Sequence, residues 1–265
     1  MQAMPPSWRH DQVKIGCAGW SIASRHAHLF GPGESALARY ATRFPVVEIN
    51  SSFYRPHQPG TYERWAATVP EGFRFSVKLP RSVSHERRLQ DTGAALDAFF
   101  GQVRALGEKL GRLLLQLPPS LAYDARTAST FFRMLRRRTD AAIVCEPRHA
   151  SWFAADAIAM LERHGIGRAA VDPPPVPDAA HPGADRSHSY WRWHGAPRIY
   201  YSEYDCEALR ALAERVVRER GPGDVPWVIF DNTALGFAVQ NAAQMQDLLA
   251  AQFAGGATPP LPRKD

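Results

Sequence analysis

The feature that most restricts the fold of this chain is a regular alternation between short β-type runs and segments of helical period. Amphipathic segments such as ESALARYATRF and CEALRALAERVVRERG separate the runs. The eight β-type runs lie at residues 13–19, 46–50, 73–78, 112–117, 141–146, 167–172, 189–195 and 227–232. A strand followed by a helix, eight times over about 250 residues, predicts a single-domain α/β protein with the (β/α)8 TIM barrel fold.

One connection departs from this pattern. After the sixth strand the chain reads PPPVPDAAHPGADRSHS, and because proline blocks helix formation, an irregular Pro-rich connection is predicted here. An open, doubly wound sheet is the main alternative fold. The predicted barrel domain covers residues 13–254, with an N-terminal tail at 1–12 and a C-terminal tail at 255–265.

The composition favours a cytoplasmic protein with anionic partners. No apolar run approaches the length of about 20 residues that spans a bilayer, and the N-terminus lacks the features of a signal peptide. The three cysteines have no metal-binding spacing. The net charge is +6, but only four of the 32 basic residues are lysines, so base composition explains the arginines better than nucleic-acid binding. We expect no membrane partner, and the oligomeric state stays open.

Polar side chains end most of the predicted strands. Alternation places Ser76 and Lys78 on the inward face of the third strand, and Arg192 beneath His194 on that of the seventh. The residues that end strands two to eight are Asn50, Lys78, Gln116, Glu146, Asp172, His194 and Asn232. Because barrel enzymes carry their active sites at the carboxyl ends of the strands, we predict a site on this rim. The alternative is a structural role, such as an ion pair of Glu48 with Lys78 or Arg192.

Seven motifs together carry a resemblance to a known family. In order they are IGCAGW, VEINSSFYR, FRFSVKLPRSVSH, KLGRLLLQLPPS, CEPRHASW, WRWHG and IFDN. They resemble the domain of unknown function 72 family, also called YecE-like. The matching positions are Trp20, Glu48, Asn50, Ser51, Phe53, Tyr54, Lys78, Pro80, Arg81, His85, Gln116, Pro118, Glu146, Arg148, His149, Trp152, Asp172, His194, Gly195 and Asn232. The resemblance implies a TIM barrel of unestablished activity, with proposals drawn from metal-dependent endonucleases and sugar isomerases.

Three positions depart from the family pattern. Pro147 stands where the family usually has an aromatic residue, Trp193 replaces a typical Leu, and Asp231 is more often Asn. Because Asp231 has the outward parity of its predicted strand, we expect its change to matter less than a change at Asn232 would.

A small anionic substrate fits the predicted rim best. Lysine and arginine at a barrel mouth suit phosphate or carboxylate. We predict acid-base or hydrolytic chemistry, of a hydrolase or of an isomerase or lyase, with Glu146 or Asp172 as general base and His194 as general acid. The candidate catalytic residues are Glu146, Asp172, His194 and Lys78. The candidate substrate-binding residues are Trp20, Glu48, Asn50, Tyr54, Gln116, Arg148, His149, Arg192, Arg198, Tyr200 and Asn232.

Three other chemistries remain open. No resident cofactor is predicted, but a divalent metal would have Glu48, Glu146, Asp172 and His194 as ligands. Lys78, a lysine in an arginine-rich chain, offers an amine for imine formation, although pairing with Glu48 explains it more simply. Loop aromatics and arginines define the non-enzymatic alternative, a groove for single-stranded nucleic acid, with or without metal-dependent phosphodiester cleavage.

Overall fold

The centre of the molecule is a sheet of ten strands. The structure is a computed structural model, and it describes residues 12–221 and 223–255, with side chains as far as residue 251. The strands are β1 (Lys14–Ala18), β2 (Val46–Ile49), β3 (Arg74–Lys78), β4 (Leu110–Gln116), β5 (Ala142–Glu146), β6 (Ile166–Arg168), β7 (Ala170–Asp172), β8 (Gly183–Ala184), β9 (Tyr190–Trp193) and β10 (Trp227–Phe230).

Helices cover the outside of this sheet. They are α1 (Ala36–Tyr40), α2 (Ser51–Tyr54), α3 (Pro59–Thr68), α4 (Gly93–Val103), α5 (Ala125–Arg136), α6 (Ala155–Arg163), α7 (Cys206–Arg218) and α8 (Phe237–Gly255). Side-chain caps fix where several of them begin. Asp124 accepts a hydrogen bond from the Thr127 amide at the start of α5, and Asp205 accepts one from the Ala208 amide at the start of α7.

The strands are ordered β7-β9-β10-β1-β2-β3-β4-β5-β6-β8. β8 pairs antiparallel with β6, whereas the other described pairs are parallel. The predicted sixth strand is divided at Ala169 into β6, which pairs with β5, and β7, which pairs with β9. The molecule is therefore a single-domain α/β fold with a nearly closed, barrel-like sheet, and its ten strands and antiparallel pair depart from the predicted eight parallel strands.

Two apolar layers flank the sheet. The layer between the sheet and the helices includes Ile15, Val47, Phe75, Leu113 and Phe230. The side chains inside the barrel include Val46, Leu114, Val144, Tyr190, Trp227 and Ile229. Because the interior is filled, the chemistry of the barrel is confined to its ends.

The Pro-rich connection lacks an α-helix, as predicted. It contains the 3-10 turns Pro177–Ala180 and Arg186–His188, with β8 between them. The predicted tails at 1–12 and 255–265 fall outside the described residues, except for Gln12 and Gly255. Among the helices that the structure describes, none combines the length and apolar character needed to cross a membrane.

Candidate active site

Five charged side chains form a buried cluster at the carboxyl end of the sheet. We call this cluster the mouth network, and its members are Glu48, Glu146, Arg192, His194 and Asp231. None of them is more than 5 % exposed. Glu48, Glu146 and Arg192 belong to strands β2, β5 and β9, whereas His194 and Asp231 follow directly after β9 and β10. Parallel strands therefore bring together side chains that are far apart in the sequence.

Arg192 lies at the centre of the mouth network. Its Nε and Nη2 atoms donate to the two carboxylate oxygens of Glu48 over 2.9 and 2.7 Å. Nη2 also donates to Asp231 over 2.9 Å, and Nη1 donates to Glu146. Burial lowers the pKa of Arg192, but the three carboxylates outweigh it and raise the pKa well above its usual value. The predicted Glu48–Arg192 ion pair is therefore confirmed, and Arg192 stays charged.

Glu146 is saturated with hydrogen-bond donors. Its Oε1 atom accepts from Gln116 Nε2 over 2.8 Å and from Arg148 Nε and Nη2 over 3.1 and 3.0 Å. Burial raises the pKa of Glu146, but the charges of Arg192 and His194 hold it well below its usual value. A carboxylate with so low a pKa is a poor general base, so the geometry favours an orienting role for Glu146.

His194 lies between two carboxylates. Its Nδ1 atom is 3.0 Å from Asp231 Oδ2, and its Nε2 atom is 3.5 Å from Glu146 Oε1. Burial and the charge of Arg192 lower the pKa of His194, but the Glu146 charge and hydrogen bonds to both carboxylates raise it above its usual value. The Tyr200 ring lies edge-on to the imidazole, with 5.7 Å between the ring centroids. His194 is therefore a shielded, ionisable group that two carboxylates orient.

Lys78 approaches the mouth without joining the mouth network. Its Nζ atom lies 4.3 Å from the centroid of the Phe53 ring. Within residues 12–221 and 223–251, this ammonium makes no ion pair and no hydrogen bond. Burial, followed by the Arg192 charge, lowers the pKa of Lys78 to about 8, although the three carboxylates of the network oppose this shift. The predicted alternative of a Glu48–Lys78 ion pair is wrong.

Two strand parities were predicted wrongly. Asp172 turns away from the mouth network, and its Oδ2 accepts from the Tyr204 hydroxyl over 2.6 Å. Asp231 points inward, whereas Asn232 donates from Nδ2 to Asn241 Oδ1 over 2.8 Å beside α8. The strand residues before these positions are small or apolar on both faces, so the sequence carries no alternation from which to infer direction.

Other predicted site residues do border the mouth network. Asn50 Nδ2 lies 3.4 Å from Asp231 Oδ1, and its own Oδ1 is buried without a partner among the described residues. Gln116 and Arg148 contact Glu146 as described above. Burial lowers the pKa of Arg148, but Glu146 and then Tyr200 raise it above its usual value, so Tyr200 is a neighbour of this guanidinium.

Four predicted binding residues lie outside this cluster. Trp20 packs edge-on against Trp65, with ring centroids 5.0 Å apart. Tyr54 is 72 % exposed.

The other two are in loops. His149 accepts from the Ser151 amide at the start of a 3-10 turn. Arg198 stacks on the Tyr201 ring at 4.1 Å. Their local contacts account for both positions.

The prediction missed three residues at the mouth. The Tyr190 hydroxyl lies 2.9 Å from Glu48 Oε2 and 2.8 Å from Ser76 Oγ. Tyr190 has the same parity as Arg192, so the alternation of β9 contained a signal for it. Ser76 was placed on the inward face without a site role, and Asp231 was assigned the outward parity.

The residues present do not fit the alternative of a metal site. Among the side chains that the structure describes, no group of three or more His, Cys, Asp or Glu residues has the arrangement of a metal site. Glu48 and Glu146 direct their oxygens to Arg192, and Asp172 is turned away. No step of the proposed chemistry is therefore assigned to a metal.

A cavity of about 400 Å³ lies at the same end of the sheet. The carboxyl end of β1, the turn after β10 and the start of α8 line it, and its polar side chains include Ser21, Arg25 and Thr233. None of the five mouth-network residues lines this cavity, so it is separate from the cluster.

These features define a class of α/β protein with a nearly closed, barrel-like sheet and a charged cluster at its carboxyl end. The profile of the family described as "Protein of unknown function DUF72" matches residues 14–265, and the chain belongs to this family. The predicted resemblance is therefore confirmed.

Curated relatives have related names. UPF0759 protein YunF of Bacillus subtilis (strain 168) is 23% identical over 277 residues, which cover 92% of this chain and 96% of that protein. UPF0759 protein YecE of Escherichia coli (strain K12) is 27% identical over 179 residues, which cover 65% of this chain and 63% of that protein.

Solved structures share the fold. A DUF72 family protein from Enterococcus faecalis V583 has a TM-score of 0.74 at 22% identity, covering 90% of this chain and 95% of that chain. A DUF72 family protein from Thermotoga maritima MSB8 has a TM-score of 0.73 at 26% identity, covering 90% of this chain and 99% of that chain.

Proposed function

We propose that this chain is a cytoplasmic enzyme that performs acid-base chemistry on a small phosphorylated or carboxylated substrate at the mouth of its barrel. The reaction belongs to the hydrolases or to the isomerases and lyases. As part of this proposal, the sheet is an eight-stranded (β/α)8 barrel whose sixth strand is divided at Ala169.

The observation that carries the proposal is the charge balance at the mouth. Three carboxylates face three permanent or near-permanent cations, and the ionisable His194 adds a fourth positive charge when it is protonated. These groups are Glu48, Glu146, Asp231, Arg192, Arg148, Lys78 and His194. Protonation of His194 therefore leaves one positive charge in excess, which an anionic ligand would neutralise.

Two of these cations are placed to meet the ligand. The Arg148 side chain is 26% exposed, and one of its three guanidinium nitrogens, Nη1, is free of Glu146. Lys78 retains slight exposure and has no carboxylate partner among the described residues. Arg192 is saturated and fully buried, so its role is to hold the carboxylates rather than the substrate.

The acid-base step is assigned to His194. Asp231 and Glu146 fix the orientation of its ring from opposite nitrogens. Because Glu146 Oε1 lies beside both His194 Nε2 and the Arg148 guanidinium, the Nε2 proton can be shared with an anion bound at Arg148. Glu146 orients Arg148 and His194 and keeps its own charge.

The test is titration calorimetry of the full chain with sulfate and with malonate. We expect Arg148→Gln to weaken both affinities roughly tenfold or more, because a charge-assisted hydrogen bond contributes about 1.5–3 kcal/mol. Arg210→Gln is the matched control, because Arg210 is an exposed arginine of α7 and should leave binding unchanged. Thermal unfolding establishes that both variants fold.

Two results would contradict the proposal. One is equal binding by the wild type and Arg148→Gln. The other is tight binding to single-stranded oligonucleotides that grows with their length and falls steeply with salt, as the nucleic-acid alternative requires.

A further inference from the structure

We propose that the Lys78 amine forms an imine with a small carbonyl compound that carries a phosphate or a carboxylate. This inference rests on the proposed function, because it assigns the substrate class of the same mouth. It makes Lys78 a nucleophile rather than one more cation for anion binding.

The first argument is the absence of a partner for the amine. The carboxylates of Glu48 and Glu146 accept from Arg192, as does Asp231, so each is already occupied by a stronger and permanent cation. In the part of the chain that the structure describes, Lys78 is left with the face of the Phe53 ring. A purely structural lysine at this depth would be expected to have an acceptor.

The second argument is that the amine is held by a rigid element. Lys78 is the last residue of β3, and the Ser52 hydroxyl donates to its carbonyl oxygen over 2.7 Å. Phe53, the next residue after Ser52, belongs to α2, is only 8 % exposed and carries the ring under the amine. The strand and the hydroxyl fix the backbone of Lys78, and the Phe53 ring contacts the nitrogen itself.

The third argument is the state of the amine. Burial, then Arg192, lowers the pKa of Lys78 to about 8, so about a tenth of the amine is neutral at pH 7, far more than for an ordinary lysine. Only the neutral amine has the lone pair that attacks a carbonyl carbon. Arginine cannot perform this reaction.

A second cation lies on the same rim. Lys78 ends β3, Arg148 lies two residues after the end of β5, and only β4 separates these two strands. Burial, followed by the charges of Lys78 and Arg148, lowers the pKa of His85. His85 also packs edge-on against Phe53, with centroids 4.9 Å apart. Arg148 would hold the phosphate or carboxylate while the carbonyl carbon faces Lys78.

The step is a balanced condensation. The neutral amine attacks the carbonyl carbon, a C–N bond forms, and the oxygen takes up a proton to give a carbinolamine. Loss of the hydroxyl as water, with release of the remaining N–H proton, then forms the C=N bond. One water is produced for each imine, and no oxidant or reductant takes part.

The experiment traps the imine by reduction. The full chain is incubated with pyruvate or with dihydroxyacetone phosphate and sodium cyanoborohydride, and the product is analysed by intact mass and peptide mapping. The chain has only four lysines, which makes the mapping simple. We expect labelling at Lys78 roughly tenfold or more faster than at any other lysine, because the bound anion raises the local concentration of the carbonyl.

Lys14 provides a matched control. It also lies over an aromatic ring, that of Trp227 at 5.8 Å, and burial lowers its pKa too, but it lies at the amino end of β1. Lys78→Arg should abolish labelling at the mouth, whereas Lys14→Arg should not change it. Arg148→Gln should slow the labelling of Lys78 roughly tenfold. Labelling spread evenly over Lys14 and Lys78 would overturn the inference.

The inference and the proposed function fail separately. If the wild type binds sulfate through Arg148 and neither carbonyl compound labels Lys78, the imine is wrong and the anion-binding enzyme stands. If the wild type binds neither sulfate nor malonate, the proposed function fails as well. Labelling by only one of the two compounds supports the inference and identifies the anionic group.

Discussion

Arg192 shows why a buried charge cluster survives inside an apolar barrel. Removal of a guanidinium from water costs several kcal/mol, and this cost is offset only when every donor is satisfied. The bidentate bond to Glu48 and the bonds to Glu146 and Asp231 meet that condition. Burial raises the pKa of Glu146 and of Asp231, but the charge of Arg192 lowers both.

Replacement of Arg192 should therefore be severe. We expect Arg192→Met to lower the free energy of unfolding by about 3–5 kcal/mol, because three buried carboxylates lose their partner. Arg192→Lys keeps the charge but loses the forked geometry, so its free energy of unfolding should lie between those of the wild type and Arg192→Met. Urea unfolding measures both, with Arg210→Met as an exposed control. A loss below about 1 kcal/mol for Arg192→Met would contradict the buried network.

Lys78 should make stability depend on alkaline pH. Its folded pKa of about 8 lies below the ordinary lysine pKa of 10.5. Between these values the native chain binds fewer protons than the unfolded chain, so the free energy of unfolding rises with pH across this window. Below the folded pKa, Lys78 is protonated in both states and adds no further dependence on pH. The difference in unfolding free energy between wild type and Lys78→Met should shift in favour of the wild type by up to about 3 kcal/mol.

Urea unfolding at about pH 7 and about pH 10 measures this shift. Lys109 is only half-buried, and Lys109→Met should show a smaller change. A constant difference between wild type and Lys78→Met across the window would mean that Lys78 has an ordinary pKa.

The sequence predicted part of the site at this scale. Arg192 alternates with Trp191 and Trp193 in β9, so its inward direction and that of His194, which follows the strand, could be inferred. Glu146 was predicted on the inward face although β5 is apolar on both faces. Asp172 and Asp231 could not be placed, because their strands are apolar or small on both faces. The choice of Arg192 over Lys78 as the partner of Glu48 depends on distances that no sequence pattern encodes.

Among the elements, β1 and β2 meet around one inserted side chain. The Tyr40 hydroxyl accepts from the Cys17 amide over 2.8 Å and donates to the Val46 carbonyl over 3.0 Å. Gly16 leaves the space for this approach. A Cβ atom at Gly16 would lie 2.1 Å from Val46 O and 3.0 Å from the hydroxyl.

We therefore expect Gly16→Ala to destabilise the fold by about 3 kcal/mol, because the pairing of β1 with β2 must open. Gly101→Ala is the matched control. Gly101 is an exposed residue of α4 with no atom within 4 Å of an added Cβ, so alanine should stabilise the helix by about 1 kcal/mol. Thermal unfolding compares the two, and similar melting temperatures would contradict the predicted crowding at Gly16.

The elements themselves were largely predictable. All eight predicted runs contain strands, because hydrophobic runs between turn signals are typical of them. The break at Ala169 was not predicted, since GRAAVD has no Gly or Pro inside the run where the ladder is interrupted. β8 was missed because two residues within a Pro-rich segment carry no strand signal.

At the scale of the whole molecule, the barrel interior has charge at both ends. Arg112 lies inside the amino end, where its guanidinium donates to the carbonyls of Ser189 and Val225 and packs against the Trp227 ring. Apolar side chains separate it from the mouth network. The two ends therefore have separable roles.

Arg112→Met tests this separation. We expect a loss of about 2–4 kcal/mol in unfolding free energy, because the carbonyls of His188, Ser189 and Val225 lose a charged donor and Asp224 loses its cation. Sulfate affinity at the mouth should stay within about twofold of the wild type, since Arg112 is not part of the mouth. A variant that unfolds no more easily yet binds sulfate more weakly would show that the two ends are coupled.

Closure of the amino end by Arg112 also limits the route by which a ligand can enter and leave the barrel. A compound bound at Lys78 cannot leave through the amino end of the barrel, because the interior is packed and Arg112 fills that end. Under the proposed function, substrate and product must therefore enter and leave through the same opening, and bound product blocks the binding of substrate. Inhibition by product should consequently be competitive.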